Sequence, residues 1–243
     1  MPHPVTSFLT FACVALGAGS ALAAAPVCKA ESAAALTPVI ELYTSEGCSS
    51  CPPADRWLST LKAVAGNGKA VVQAFHVGYW DYIGWVDRFA TPAHTTRQRQ
   101  VASQSGLSGV YTPQLIRNGR DSRDFANATR AGDAAKAQIQ LLRNGDDSFE
   151  AVVTPAQDVG SWAAYWTVTE NGHSSKVKAG ENAGELLQHD FVVRQYVPLG
   201  EYKGASKVTL RTIAPNPAHP RQVNLVVFDP KTGKPLQALS LGC

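Results

Sequence analysis

The stretch that most constrains the fold is a Cys-x-x-Cys motif between an apolar run and two prolines. Residues 39–43 are mostly apolar and partly β-branched, which predicts a strand. The motif runs from Cys48 to Cys51, contains two serines, and is followed directly by two prolines. Proline is tolerated in a helix only within the first turn, where its missing N–H would have no partner. The spacing therefore predicts a strand, a turn and a helix that begins at the second cysteine.

A Cys-x-x-Cys motif serves as a redox pair, as half of a metal site or as a small structural disulfide. A strand leading to the motif at the start of a helix favours the redox pair, in which Cys48 attacks and Cys51 resolves the mixed disulfide. The helix N-terminus favours the thiolate and can lower a thiol pKa from about 8.5 to roughly 3.5–7.5. Two alternatives stay open. They are copper or zinc binding or delivery through Cys48, Cys51 and His76, and a binding protein with a structural Cys48–Cys51 disulfide.

The N-terminal residues 1–23 are predicted to be a secretory signal peptide. They contain no Asp, Glu, Lys or Arg, and an apolar run ends in Ala-Leu-Ala, which fits a cleavage site. No later segment reaches the roughly 20 apolar residues of a membrane-spanning helix, so we expect a periplasmic or secreted protein without stable membrane insertion. The net charge of +3 and the lack of a long Lys/Arg run argue against a nucleic-acid partner. Protein thiols or disulfides are the expected partners, and no cofactor is expected.

The number of cysteines indicates a second disulfide. The chain has five cysteines, and removal of Cys13 with the signal peptide leaves four. An even number in an oxidising compartment favours pairing. If Cys48 pairs with Cys51, Cys28 is left with Cys243 at the opposite end of the chain, where a bridge would contribute roughly 4–5 kcal/mol. Two unpaired thiols, one on each tail, are the alternative.

Residues 24–145 are predicted to form an α/β domain. Besides the first strand and the helix after the cysteines, the pattern predicts a strand, a polar helix, a strand after a proline, and an Ala-rich helix, at 71–77, 91–106, 113–117 and 129–143. This order of strands and helices is typical of a thioredoxin-like domain, a mixed central sheet flanked by helices.

Residues 146–243 are predicted to form a second, mostly-β domain with a sandwich-like arrangement. Six short strands are separated by turns rich in Gly, Pro and Asn, at 149–154, 162–169, 191–197, 207–213, 223–228 and 236–241. Only a brief helix, near residues 181–187, interrupts this pattern.

Thr112 and Pro113 are predicted to form a cis peptide bond that faces the cysteines. In thioredoxin-like folds a cis-proline faces the Cys-x-x-Cys motif, and Thr112-Pro113, directly before a predicted strand, resembles that element. Only proline adopts the cis form readily. A cis bond there would turn the backbone of Thr112 so that it pairs with an extended substrate, and would make Pro113 part of the catalytic site. The alternative is an ordinary trans proline at the start of a strand.

The loop at residues 76–85 is the second candidate part of the site. Four of its residues are aromatic, and they either line the site or pack the loop onto the core. We expect His76 and Asp81 to tune proton transfer and Trp80 to contact substrate. Glu46, close to the motif, would raise a thiol pKa if it lay near the sulfur.

The other charged side chains are assigned ordinary structural roles. Arg97 and Arg99 fit a solvated helix face. The histidines outside this loop in the folded part of the chain are expected to be surface or structural residues, namely His94, His173, His189 and His219.

Four motifs carry a resemblance to a known family: ELYTSEGCSSCPPAD at 41–55, HVGYWDYIGW at 76–85, RQRQ at 97–100 and VYTPQ at 110–114. Together they resemble a bacterial family of secreted thioredoxin-like proteins called domain of unknown function 1223. The resemblance covers residues 39–243. It implies a fold and a compartment but no substrate. Gly78 stands where the family commonly has Asp, so the resemblance implies no carboxylate chemistry at that position.

Overall fold

The computed structural model describes Met1, His3 and residues 28–242. Most of the predicted signal peptide, including residues 4–23, lies outside the described residues, and so does Cys243. The predicted Cys28–Cys243 bridge and the predicted cleavage therefore stay predictions.

The described residues form fourteen strands and three α-helices. The strands are β1 (Lys29–Glu31), β2 (Val39–Thr44), β3 (Val71–His76), β4 (Gln114–Arg117), β5 (Arg120–Ser122), β6 (Ala137–Arg143), β7 (Ser148–Pro155), β8 (Trp162–Glu170), β9 (His173–Lys176), β10 (Leu186–His189), β11 (Val192–Tyr202), β12 (Ser206–Arg211), β13 (Arg221–Phe228) and β14 (Pro235–Leu241). The helices are α1 (Pro52–Ser59), α2 (Lys62–Gly66) and α3 (Pro92–Gln104), and a 3-10 turn covers Asp81–Ile83.

One eight-stranded mixed sheet runs through the molecule in the order β14-β13-β8-β11-β3-β2-β4-β5. Strands β2 and β3 are parallel, and β4 is antiparallel to β2. Strand β11 joins the other edge of β3 through Val192 and Ala74 and pairs with β8 on its far side. Strands from the early and late parts of the chain thus share one sheet.

The predicted fold class was wrong. The sequence predicted an α/β thioredoxin-like domain with a sheet flanked by helices, followed by a separate β sandwich. The protein is mostly β, with 41% strand and 13% helix, and its sheets are large mixed and antiparallel ones. The physical reason is that β11 supplies a hydrogen-bonding partner for the edge of β3, which continues the sheet into the second half of the chain. The boundary at residues 145 and 146 stays a prediction.

The segment predicted as an Ala-rich helix at 129–143 contains strand β6 instead. Its buried residues alternate with exposed glutamines: Ala137, Ile139 and Leu141 are buried, whereas Gln138 and Gln140 are exposed. This period of two is the pattern of a half-buried strand, and it outweighed the helical preference of the alanines.

A second, four-stranded sheet in the order β1-β6-β7-β12 packs against the β8-β13-β14 part of the large sheet. The side chains between the two sheets form the largest apolar core of the described residues, with Trp162 and Trp166 fully buried at its centre. All nine residues of β8 are buried because this strand is covered on both faces.

The helices cover the two faces of the sheet around β2 and β3. Leu58 of α1 packs with Leu42 on one face, whereas Val101 of α3 packs with Tyr43 on the other. Successive residues of a strand point to opposite faces, so β2 contacts both helices. In the part of the chain that the structure describes, no helix has the length and apolar character needed to cross a membrane.

Arg97 of α3 is buried, which corrects the prediction that it lies on a solvated face. Its guanidinium donates to both carboxylate oxygens of Glu41 on β2, at 2.6 and 3.0 Å, and lies 4.0 Å from the ring centre of Tyr165. Arg99 is exposed as predicted. This bidentate ion pair fixes α3 against the centre of the sheet.

Candidate functional site

The two cysteines of the motif form a disulfide at the start of α1. The Cα atoms of Cys48 and Cys51 are 5.4 Å apart, and Cys51 is the N-cap residue of the helix. Pro52 and Pro53 occupy the first helical positions, where the absence of an N–H costs no hydrogen bond. The predicted pairing and the predicted helix start are both confirmed.

The disulfide is covered by the residues between the cysteines. Cys48 is 1% exposed and Cys51 is fully buried, whereas Ser49 and Ser50 are exposed. The hydroxyl of Ser50 lies 3.3 Å from Sγ of Cys48. A reagent that approaches Cys48 from solvent therefore meets the serines first.

The Thr112–Pro113 peptide bond is cis, as the sequence predicted. Thr112 lies opposite the motif, with its carbonyl oxygen 3.5 Å from the hydroxyl of Ser50. Pro113 and Ser50 line one groove, whose wall is almost entirely apolar because Pro53, Trp57 and Phe125 complete it. The cis-proline and the turn between the two cysteines, through Ser50, thus border the same surface groove.

Trp80 connects the aromatic loop to Thr112 and to the turn before Cys48. Its indole N–H donates to the hydroxyl of Thr112 at 2.8 Å. A Cβ atom placed on Gly47, directly before Cys48, would lie 2.8 Å from Cβ of Trp80, which is too close for any side chain. Close packing at Gly47 therefore holds Trp80 against the turn that carries the disulfide.

A buried polar network lies behind the turn and centres on Glu46 and Asp87. The Glu46 side chain accepts a hydrogen bond from the Trp85 indole at 2.7 Å, and its backbone N–H donates to Asp87 at 2.9 Å. His76 at the end of β3 contacts the same Asp87 oxygen through Nδ1 at 2.7 Å. Burial acts to raise the pKa of Asp87, but the neighbouring His76 outweighs it and lowers the pKa.

His189 joins this network to helix α1. Its Nε2 lies 3.3 Å from Glu46, and its Nδ1 lies 3.6 Å from Asp55. Neither contact has the geometry of a hydrogen bond, so the attraction is between charges. Asp55 follows Cys51 by four residues, and both side chains are buried, which places the carboxylate one helical turn below the disulfide.

The charges around His189 shift its pKa upward and that of Glu46 downward. Burial acts to lower the pKa of His189, but the Asp55 and Glu46 carboxylates outweigh it and raise the pKa to about 9. Burial acts to raise the pKa of Glu46, but the contacts with His189 and Trp85 lower it overall. Near neutral pH, a buried imidazolium therefore lies between two carboxylates beside the disulfide.

The loop between β9 and β10 also reaches the motif. The side-chain amide of Asn182 donates to the backbone carbonyls of Glu46 and Cys48, at 2.8 and 3.0 Å. Glu181 accepts a hydrogen bond from the backbone N–H of Ser49 at 3.1 Å. The late part of the chain therefore contributes directly to the conformation of the Cys-x-x-Cys turn.

Comparison with known proteins assigns the chain to a family. Residues 39–228 match the family described as a protein of unknown function, DUF1223. The chain belongs to this family. No curated protein matches it.

Two solved structures are similar to this DUF1223 protein in fold. The X-ray structure of protein AGR_C_4864 from Agrobacterium tumefaciens has a TM-score of 0.64 at 24% identity, covering 85% of this chain and 94% of that one. HBP35 of Porphyromonas gingivalis has a TM-score of 0.56 at 14% identity, covering 86% of this chain and 76% of that one. At such low identities, the likeness shows the fold alone.

The structure brings together some of the residues predicted for the site of this DUF1223 protein. Pro113 lines the groove described above, and Thr112 next to it accepts a hydrogen bond from Trp80. Cys48 and Cys51 are buried in the turn whose Ser50 lines the same groove. The roles predicted for them stay predictions, because geometry alone tests none of them.

The predicted tuning residues meet at Asp87 rather than at a cysteine. His76 is fully buried against Asp87, and Asp81 accepts a hydrogen bond from the backbone N–H of Asp87. Burial raises the pKa of Asp81. The backbone carbonyl of Glu46 accepts a hydrogen bond from Asn182, and its carboxylate faces His189 and Trp85.

The three residues of the alternative metal site, Cys48, Cys51 and His76, are not arranged to bind an ion. Among residues 28–242, no three His, Cys, Asp or Glu side chains are grouped so that they could hold a metal ion. Cys48 and Cys51 are bonded to each other, and His76 points to Asp87. The structure thus lends no support to copper or zinc binding by Cys48, Cys51 and His76.

Sequence reasoning missed the residues that reach the motif from elsewhere in the chain. His189 was assigned a surface or structural role, and the segment of Glu181 and Asn182 was assigned to a brief helix. Asp87 lay outside the predicted site. No local pattern marks these residues, because their contacts with the motif depend on the pairing of distant strands.

Proposed function

We propose that Cys48 and Cys51 form a redox-active pair and that the protein exchanges disulfides with protein thiols or disulfides. The observation that carries the proposal is the disulfide at the N-terminus of α1, in a turn whose Ser50 lines the same groove as Pro113 of the cis Thr112–Pro113 bond. The sequence motif and the structure agree on two features: the cysteines lie at the start of a helix, and Pro113 follows a cis peptide bond.

Cys48 is the sulfur that exchanges with the substrate. It precedes the helix and lies beside the exposed serines, whereas Cys51 is fully buried at the N-cap. The helix N-terminus stabilises negative charge, which favours the departure of a cysteine as thiolate. Substrate therefore exchanges at Cys48. The bond between Cys48 and the buried Cys51 breaks or re-forms in the same reaction.

The exchange proceeds in two substitutions. A substrate thiolate attacks Sγ of Cys48, the Cys48–Cys51 bond breaks, and Cys51 leaves as a thiolate that takes up a proton. A second substrate thiolate then attacks the substrate sulfur of the mixed disulfide, and Cys48 leaves as a thiolate. The substrate loses two electrons and gains a disulfide, and the protein gains two thiols. The reverse sequence reduces a substrate disulfide.

The groove beside Ser50 and Pro113 offers a site for an apolar substrate side chain. Pro53, Trp57 and Phe125 line it, and the rings of Trp57 and Phe125 are held edge to face with their centres 4.7 Å apart. An extended peptide that crosses Thr112 would place a neighbouring side chain in this groove. Substrate binding would also displace Ser50 and expose Cys48.

The predicted signal peptide supports action in the periplasm or outside the cell. Exported proteins form disulfides there and could serve as substrates for exchange. Expression of the full chain, and of a chain lacking residues 2–23, tests this compartment. The full chain should appear in the periplasmic or secreted fraction as a shortened protein, and the truncated chain should stay inside the cell. Retention of both chains inside the cell would contradict export.

The redox function is tested by equilibrating the protein in buffers of reduced and oxidised glutathione, followed by alkylation of free thiols. We expect Cys48 and Cys51 to pass together between disulfide and dithiol, and the variant Cys51→Ser to accumulate a mixed disulfide at Cys48. The matched variant Cys48→Ser should form much less mixed disulfide, because Cys51 is the N-cap residue of α1, whereas Cys48 precedes the helix beside the exposed serines. A pair that no glutathione ratio reduces in the folded protein would refute the redox function.

A second candidate function is a binding protein in which the disulfide only crosslinks the turn. The burial of both sulfurs favours it. Under this alternative, the disulfide would react with glutathione only on unfolding. The reduction rate would then fall in parallel with the unfolding rate when a stabilising solute is added, whereas a redox site would react at a rate independent of unfolding.

A further inference from the structure

The loop between β9 and β10 makes three hydrogen bonds to the backbone around Cys48. Asn182 donates to the carbonyls of Glu46 and Cys48, and Glu181 accepts from the N–H of Ser49. We call these two residues the 181–182 clasp. The hydrogen bonds hold the turn on both sides of the reactive sulfur.

The clasp is itself held in place. Within its loop, the N–H of Val177 donates to Glu185, and the N–H of Gly184 donates to Val177. Strands β9 and β10 pair from Leu186 to His189, and His189 contacts Asp55 of the helix that begins at Cys51. The loop therefore acts on the turn from a fixed position.

The two members of the clasp differ in environment. Asn182 is 6% exposed, so the turn carbonyls that it binds are shielded from water that could replace its amide. Glu181 is exposed, and its hydrogen bond with Ser49 lowers its pKa, so it is ionised at neutral pH. Asn182 should therefore have the larger effect on the turn.

We propose that Asn182 and Glu181 are positioning residues that hold the Cys48 turn in the conformation in which Cys48 and Cys51 bond. This proposal rests on the redox function proposed above and deepens it. The clasp would raise the equilibrium constant for closing the disulfide and speed the attack of Cys51 on a mixed disulfide at Cys48.

The physical reason is preorganisation. Bonded sulfurs are about 2.0 Å apart, whereas unbonded ones must separate to van der Waals contact. Movement of the turn helps to separate the sulfurs, and three hydrogen bonds that fit the closed turn oppose this movement. A contact that is stronger in one state shifts the equilibrium toward that state by its differential free energy. The clasp therefore favours the disulfide over the dithiol.

The reaction that reports this effect is exchange with glutathione. The two protein thiols give up two electrons and two protons and become the Cys48–Cys51 disulfide. One molecule of glutathione disulfide takes up the electrons and protons and becomes two glutathione thiols. The ratio of the four species at equilibrium gives the equilibrium constant for closing the bond.

The main test compares the wild type with Asn182→Ala in glutathione buffers. Loss of two hydrogen bonds should lower the equilibrium constant for disulfide closure about tenfold, which equals about 30 mV for a two-electron couple. Glu181→Ala, at an exposed position, should lower it about threefold and serves if Asn182→Ala fails to fold. The matched control is Asn224→Ala, because Asn224 is also a buried asparagine but donates to Thr167 and Thr169 on strand β8 instead of the Cys-x-x-Cys turn.

A second measurement separates positioning from general stability. The melting temperature should fall more for the oxidised than for the reduced form of Asn182→Ala, whereas Asn224→Ala should lower both forms equally. Equal changes in both forms of Asn182→Ala, or clasp variants with the wild-type equilibrium constant, would overturn the proposal.

Failure of the clasp and failure of the redox function give different results. If glutathione cannot reduce the wild type, the redox function fails. The clasp is then tested by reduction with tris(2-carboxyethyl)phosphine, which should reduce Asn182→Ala several-fold faster than the wild type and Asn224→Ala. Identical phosphine rates would refute the clasp alone.

Discussion

Nε2 of His189 lies 3.3 Å from Oε1 of Glu46, and both side chains are buried. Asp55 faces the other ring nitrogen of His189 at 3.6 Å. His76 and Phe89 pack against the same ring, with centres 4.9 and 5.8 Å away. The free energy of unfolding should therefore depend on the protonation of His189.

His189→Gln should be destabilising at low pH and much less so at high pH. The folded-state pKa of about 9 lies above the ordinary value of 6.5. The stabilisation by protonated His189 is therefore complete below pH 6.5 and is lost as the pH rises through 9. Denaturant unfolding at pH 6 and pH 9.5 should show a difference between wild type and variant that shrinks by on the order of 2–3 kcal/mol.

His173→Gln is the control for this pH dependence. His173 is also buried beside a carboxylate, Glu170, at 2.8 Å, but burial is the main influence on it and lowers its pKa. Its neutral form is favoured in the folded state, so its contribution should change in the opposite direction with pH. Parallel pH profiles for the two variants would contradict the assignment of a charged His189.

Gly47→Ala should be destabilising because the new Cβ atom would lie 2.8 Å from Cβ of Trp80. Either the turn or the aromatic loop must move, at a cost of about 1–3 kcal/mol. The measurement is the free energy of unfolding in urea. Gly66→Ala is the matched control, since nothing lies within 4 Å of its Cβ position. It should be neutral or stabilising by up to about 1 kcal/mol. Equal effects at the two glycines would show that Trp80 does not restrict the turn.

Trp80→Phe and Thr112→Val should show coupled effects on stability. Each variant removes one partner of the 2.8 Å hydrogen bond between the Trp80 indole and the Thr112 hydroxyl. The loss in the double variant should be smaller than the sum of the single losses, by about 0.5–1.5 kcal/mol. Denaturant unfolding of the four proteins measures this coupling. Strictly additive losses would mean that the loop and the cis bond are not linked energetically.

Arg97→Met should be among the most destabilising single substitutions in the chain. It leaves Glu41 buried without its cation, which costs about 3–5 kcal/mol. Adding Glu41→Gln should recover much of the loss, because the remaining amide carries no charge. Thermal and denaturant unfolding compare these variants with Arg99→Met, which changes an exposed residue and should stay within about 0.5 kcal/mol of wild type. No recovery in the double variant would mean that the buried charge is not the cause.

Much of the local structure followed from sequence pattern. The helix start at Pro52 followed from proline chemistry, and strands such as Val71–His76 and Trp162–Glu170 followed from apolar runs. These predictions depend on neighbours within a few residues. The cis bond at Thr112 followed instead from the expectation that a cis-proline faces the Cys-x-x-Cys motif in a thioredoxin-like fold.

The helix predicted at residues 129–143 shows where prediction from local sequence pattern failed. Alanines suggested a helix, whereas Ile139 and Leu141 alternate with glutamines in a way that suits a strand with one face on the core. Both patterns were present in the sequence. The sheet contacts of β6 with β7 decided between them, because the strand buries its apolar residues between two sheets.

The sequence by itself determined the Cys48–Cys51 motif, its place at the start of a helix and most of the strands. Only the tertiary structure decided that β11 extends the sheet from β3, and that His189 and Asn182 reach the turn that carries the cysteines. The physical reason is the range of the interactions. Helix starts and strand periodicity depend on adjacent residues. The pairing of strands and the meeting of buried charges depend on how more than a hundred intervening residues pack, since Asn182 and Cys48 are 134 positions apart.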